Sequence, residues 1–152
     1  MQGALVGLAV LLGAGTAAAA DKDKTDVMAT VNQFIDGFNK GDTKTALAAC
    51  ASPASIIDEF PPYVWSGATA CADWARDYDA ASKKDKITDQ AVKLGKPKHV
   101  DVSGDRGYVV VPANYSFKLD GKPTAENGSL FTVALLKGAD GWRITAWTWS
   151  KH

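Results

Sequence analysis

The chain lacks most of the signatures by which a sequence announces its chemistry. Its 152 residues contain no Gly-rich phosphate loop and no nucleophile elbow, so the motif-defined nucleotide and serine-hydrolase classes have no foothold. Histidine is limited to His99 and His152, neither spaced with cysteine as a zinc site requires; no metal and no cofactor is expected. Neither sign of charge is in excess: 17 basic and 17 acidic side chains cancel. Beyond the Asp21–Lys24 start and Lys83-Lys84 no charge block stands out, which excludes the clustered footprint of a nucleic-acid partner. No apolar run reaches the roughly 20 residues that span a bilayer, so stable membrane insertion of the processed chain is not expected.

The first twenty residues are unlike the rest. They carry no charged side chain, hold an apolar run from Ala4 to Leu12, and close on Ala17–Ala20 before Asp21. That is the layout of a secretory signal cleaved near Ala20, although no Lys or Arg precedes the apolar run. Residues 1–20 are read as leader and 21–152 as one domain, long enough for its own core. A periplasmic or secreted location follows. Cys50 and Cys71 are the two cysteines. An even count in an exported chain favours a disulfide; two buried thiols are the alternative.

Periodicity divides the domain. Val27, Val31, Phe34, Ile35 and Phe38 recur at helical spacing over Thr25–Lys40, with Thr25 as N-cap and Gly41 as stop. Asp42 caps a second helix from Thr43 to about Ala51, ended by Pro53. Ser55–Trp65 reads as extended or looped, because Pro61-Pro62 forbids helix. A third helix runs from Gly67 to Ser82, capped by Ser66, with Cys71, Trp74, Ala75 and Tyr78 inward. Cys50 and Cys71 thus lie on inward stripes of neighbouring helices. After Lys86 the period becomes two. Strands are predicted at Ile87–Leu94, Lys98–Ser103, Arg106–Leu119, Ser129–Lys137 and Trp142–Trp149, with hairpin turns at Asp120-Gly121 and Asp140-Gly141. This is an α+β layout, helices segregated onto one face of a curved antiparallel sheet.

Two helices meeting at Phe38-Asn39-Lys40-Gly41-Asp42, an aspartate before an aromatic and a third helix, and a hairpin sheet ending in Gly141-Trp142-Arg143-Ile144 resemble the nuclear transport factor 2-like superfamily. That superfamily includes ketosteroid isomerases and polyketide-cyclase-type (SnoaL-like) enzymes. The resemblance covers Asp21–His152 and implies an exported bacterial member. Its implied shape is a cone, three N-terminal helices packed on a strongly curved antiparallel sheet around a blind apolar cavity. Such a fold hosts unrelated chemistries, so it does not imply one function. Of the ketosteroid isomerase constellation, Asp58-Glu59-Phe60 matches the segment of the general base and Trp149 a tryptophan of the last strand. Phe34 and Thr132 fall where the two oxyanion donors belong. Each such donor supplies about 3–4 kcal/mol, so steroid isomerisation is not expected.

Asp58 is therefore the candidate catalytic residue, a carboxylate among aromatics that could act as general acid or base. Its plainer role is to accept backbone N–H groups in a Pro-rich turn. Glu59, by alternation, points away to solvent or Arg76. Strand alternation places Val111, Ala113, Tyr115 and Phe117 on the cavity side, with Leu130, Thr132, Ala134 and Leu136. In the last strand Arg143, Thr145, Trp147 and Trp149 share that side. The candidate ligand-binding set is Phe34, Tyr63, Trp65, Ala113, Tyr115, Thr132, Trp147 and Trp149. Trp74 reads as core, and His99 with Asp101 as an outward-facing pair. The first functional reading is an exported pocket protein for a small apolar or aromatic molecule. The second is an enzyme using Asp58 in an isomerisation, dehydration or cyclisation. The third is a homodimeric interaction module that exposes Tyr108, Val110, Trp142 and Ile144 on its open sheet face.

Overall fold

The computed structural model describes residues 14–152. Most of the expected leader, residues 1–13, lies outside the described residues. The first helix, α1, is Ala14–Lys40 and buries Val27, Val31, Phe34 and Ile35. It does not start at Thr25; that hydroxyl instead donates to the Asp21 carbonyl one turn back at 3.0 Å. Among the described residues no helix is long and apolar enough to cross a membrane.

The corner into α2, Thr43–Ala48, is built by sequence as expected. Gly41 takes φ +65°, and Asp42 accepts from the Thr45 N–H at 3.1 Å as N-cap. The corner is tight because Gly37 has no side chain: a Cβ there would lie 2.5 Å from the Ala46 backbone nitrogen.

Beyond α2 the chain departs from expectation. The helix ends at Ala48, and Cys50 opens a strand, β1, Cys50–Ile57. Pro53 sits inside β1, following a cis Ser52–Pro53 bond, where the register with the neighbouring strand shifts. A second strand, β2, Val64–Gly67, pairs back antiparallel. Ser66 and Gly67 are held opposite Ser55 and Ala54, so helix α3 starts later, at Ala70, and runs to Lys84 with Thr69 as N-cap. Cys50 and Cys71 are disulfide-bonded across 6.6 Å between Cα atoms. The bond ties a strand to a helix, not helix to helix.

The remaining strands are β3 Ile87–Leu94, β4 His99–Ser103, β5 Arg106–Leu119, β6 Lys122–Gly138 and β7 Gly141–Ser150. The sheet runs β2-β1-β7-β6-β5-β3, with β4 also on β5. It is mixed, since β1 lies parallel to β7. β6 is longer than the sequence suggested because pairing begins directly at the Asp120-Gly121 turn, where both residues have positive φ.

Two bulges decide which side chains face inward. From the Asp120-Gly121 turn, Leu119 opposes Lys122 and Tyr115 opposes Glu126. Continued unbroken, that register would bring Leu130, Thr132, Ala134 and Leu136 inward. Between Tyr115 and Ala113 β6 gains one residue at Asn127-Gly128, so Val111 opposes Phe131 instead. The inward residues are Ser129, Phe131, Val133 and Leu135, all fully or nearly buried. Thr132 is on the opposite face. In β7 Thr145 is the extra residue, since Leu135 opposes Ile144 while Ala134 opposes Ala146. Trp142 and Ile144 therefore join Trp147 in the core. The outer apolar patch expected from Tyr108, Val110, Trp142 and Ile144 is not formed: only Tyr108 is exposed.

Candidate functional site

Between α1, α3 and the concave sheet lies a cavity of about 500 Å³. Its floor is aromatic. Phe34 meets Trp147 at 5.7 Å and Trp74 at 5.8 Å between ring centroids, and Trp74 meets Trp147 edge-on at 5.0 Å. Tyr115, Phe117 and Trp149 line the sheet side.

Asp58 enters this wall just past the end of β1. Alternation turns Ile56 into the core and Ile57 out, and carries Asp58 inward at 9% exposure. One carboxylate oxygen accepts the Trp74 indole N–H at 2.8 Å, and the other accepts the Glu59 backbone N–H at 2.8 Å. Burial raises its pKa above the ordinary value; those two donors oppose the rise and the Glu126 charge adds to it.

Glu59 is exposed, as expected, but at the cavity rim beside Lys151 and not at Arg76. The strand ends at Ile57, and the Asp58 N–H bonds the Tyr63 carbonyl at 3.0 Å, closing a tight loop. Alternation stops there, and the Glu59 carboxylate lines the mouth of the cavity, 3.2 Å from Lys151 Nζ. Arg76 is engaged by Asp73 and Asp77. Opposite Glu59 stands Glu126, which accepts from Ser129 and, at 2.8 Å, from the Trp149 indole. Burial, then the hydrogen bond and charge of Glu126, raises Glu59, against Lys151. Burial raises Glu126 too, but Ser129, Trp149 and Glu59 together outweigh it and hold Glu126 low. Of this pair, Glu59 keeps its proton to higher pH.

A second polar cluster joins α3 to β3 and β5. The Tyr78 and Tyr115 hydroxyl oxygens are 2.7 Å apart, and both approach Gln90 Oε1, Tyr115 at 2.8 Å. Burial pushes Tyr115 up to about 12 and Tyr78 higher still, so both phenols are neutral at physiological pH.

Of the sequence-derived set, Asp58, Phe34, Tyr115, Trp147 and Trp149 line the cavity. Tyr63 is 54% exposed on the β1–β2 loop. Trp65 is buried against Phe60 at 4.9 Å with its indole on Asp77 at 2.9 Å. Ala113 is buried in the core, and Thr132 faces out of the cone. Sequence reasoning missed Glu59, Tyr78 and Lys151 as cavity residues, and missed Glu126. Tyr78 was visible only as one member of an inward helix stripe. Glu126 was missed because the strand was expected to begin only at Ser129; alternation from the Asp120-Gly121 turn sets it opposite Tyr115. His99 and Asp101 do face outward together, 4.0 Å apart. Among the described residues no group of acidic, His or Cys side chains is placed to hold a metal ion.

A family model described as a SnoaL-like domain matches residues 27–151. The chain belongs to the SnoaL-like family. Solved structures agree on the nuclear transport factor 2-like fold. A nuclear transport factor 2-like protein with a cystatin-like fold from Novosphingobium aromaticivorans is 15% identical, with a TM-score of 0.74 over 95% of this chain and 92% of that one. A superfamily protein from Salmonella enterica is 15% identical, TM-score 0.73, over 86% and 92%. A ketosteroid isomerase-like protein from Erwinia carotovora is 17% identical, TM-score 0.65, over 86% and 97%. At these identities the likeness shows the fold alone. Among curated proteins the sequence has no significant match.

Proposed function

We propose that this SnoaL-like domain is an exported pocket protein that binds one small, largely apolar or aromatic molecule. The observation that carries the reading is the cavity: about 500 Å³, floored by Phe34, Trp74 and Trp147, with few polar groups. That volume and make-up match small-molecule sites, which run roughly 300–1,000 Å³ with apolar walls. Export is supported by the leader pattern and by the Cys50–Cys71 bond, since disulfides persist in oxidising compartments.

The test is titration of the folded chain with the neutral apolar fluorophore N-phenyl-1-naphthylamine, beside an Ala81→Trp variant that fills the cavity from α3. Saturable binding by the parent and weakened binding by the variant support the reading. No saturable binding, or equal binding by both, overturns it. Native mass spectrometry of protein recovered from its host then identifies any retained molecule.

A second reading is favoured by one observation. Asp58 is a buried carboxylate on the cavity wall with its pKa raised, the state that suits a general acid or base. Under this reading Asp58 moves a proton on the bound molecule in an isomerisation, dehydration or cyclisation. The Tyr78 and Tyr115 hydroxyl oxygens, 2.7 Å apart, keep lone pairs to accept from a hydroxyl or amine of the substrate.

A further inference from the structure

We infer that the molecule held in this cavity is an amine, a protonated ammonium on an apolar body. The inference rests on the pocket reading above and concerns only which ligand the pocket selects.

The argument is an inventory of donors and acceptors. Most N–H and O–H groups around the cavity are committed to protein acceptors; an exception is the Trp147 indole N–H, which is buried without a partner. Trp74 donates to Asp58 and Trp149 to Glu126. The two protons of Tyr78 and Tyr115 serve three close oxygen contacts among themselves and Gln90, so neither is left over. Lys151 spans Glu59 and Glu126, at 3.2 and 3.6 Å. A ligand that brings only acceptors finds little to receive them.

Acceptors, by contrast, remain. A carboxylate offers about four acceptor sites, and Asp58, nine-tenths buried on the cavity wall, shows two donors. Each phenol oxygen of the Tyr78–Tyr115 pair also keeps lone-pair capacity. The charge balance has the same sign. Asp58, Glu59 and Asp85 line the cavity and Glu126 accepts from the lining Trp149 indole, against the single ammonium of Lys151. A ligand carboxylate or phosphate would meet like charge in a partly desolvated site, where repulsion is strongest. An ammonium would meet Asp58 and the rings of Tyr115 and Trp149, which stand edge to face at 6.4 Å. Aromatic faces attract cations, more so when water is excluded.

The experiment compares three probes that share a naphthyl body: 2-(1-naphthyl)ethylamine, 2-(1-naphthyl)ethanol and 1-naphthylacetate. Binding to the folded chain is measured by titration at neutral pH and low salt. The amine is expected to bind at least tenfold tighter than the acetate and tighter than the alcohol. Asp58→Asn and Glu126→Gln should each shrink the amine's advantage over the alcohol several-fold. Should Asp58→Asn fail to fold, the Glu126→Gln comparison carries the test. Alcohol or acetate binding as tightly as the amine overturns this inference and leaves the pocket standing. Failure of all three probes to saturate overturns the pocket reading, and this inference with it.

Discussion

The Trp74 indole donates to Asp58 Oδ2 at 2.8 Å from inside the wall of the cavity. A helix and a strand end, 16 residues apart, are thereby joined at the one carboxylate that the cavity buries. The bond favours the charged form of Asp58 and opposes burial, which nonetheless raises its pKa.

Trp74→Phe should remove that support. The donor that lowers the Asp58 pKa is lost while burial remains, so the pKa should rise further above its parent value. Losing a hydrogen bond to a charged group should cost about 2 kcal/mol of stability. A carboxyl-carbon NMR titration and a denaturant melt check both. An unchanged Asp58 pKa would show that the indole does not stabilise the carboxylate.

Asp58 also sets a pH dependence. Its folded pKa lies above the ordinary 3.8, so the folded chain binds this proton more tightly than the unfolded one. The resulting stability is fully present below pH 3.8 and is lost as pH rises through the folded value. Asn does not titrate. Asp58→Asn should therefore stay folded, and the stability of the parent relative to it should fall as pH rises through that window. Denaturant melts at several pH values measure the difference. A pH-independent difference contradicts the shift, and a variant that cannot fold would remove the base from the enzymatic reading.

Gly37→Ala should destabilise although alanine is the better helix former. The added Cβ would meet the Ala46 backbone at 2.5 to 2.9 Å, and backbone cannot turn aside as a side chain can. Overpacking of about 1–3 kcal/mol should exceed the propensity gain of roughly 1 kcal/mol. Gly138→Ala, with nothing within 4 Å, is the control and should be near neutral. Equal melting points for the two variants would mean that the α1–α2 corner can open without cost.

Reduction of Cys50–Cys71 should lower stability by about 3 kcal/mol, the loop-closure value for a bridge of this span. Melts with and without reductant, and of the Cys50→Ala/Cys71→Ala double variant, should agree. Thiol labelling of unreduced, denatured protein should modify neither cysteine.

The sequence by itself determined the fold class, the order of most elements, the α1–α2 corner and the Asp120-Gly121 turn. It favoured the cysteine bond and placed the β6–β7 turn one residue late, since the loop is Ala139-Asp140. These are local signals: helical spacing in Val27–Phe38, left-handed Gly41, the Asp42 cap, and the Asp120-Gly121 dipeptide, both residues at positive φ. It also marked Asp58, Phe34, Tyr115, Trp147 and Trp149, the residues whose orientation follows from an unbroken pattern. Only the tertiary structure decided the rest. Pro53 could lie in a strand because β1 pairs with β7 across more than eighty residues of chain, a contact no local pattern encodes. One extra residue at Asn127-Gly128 and another at Thr145 flipped whole strand faces and took Thr132 out of the cone. A period of two has no memory of which face it started on. Register supplies that, and register is set by long-range pairing.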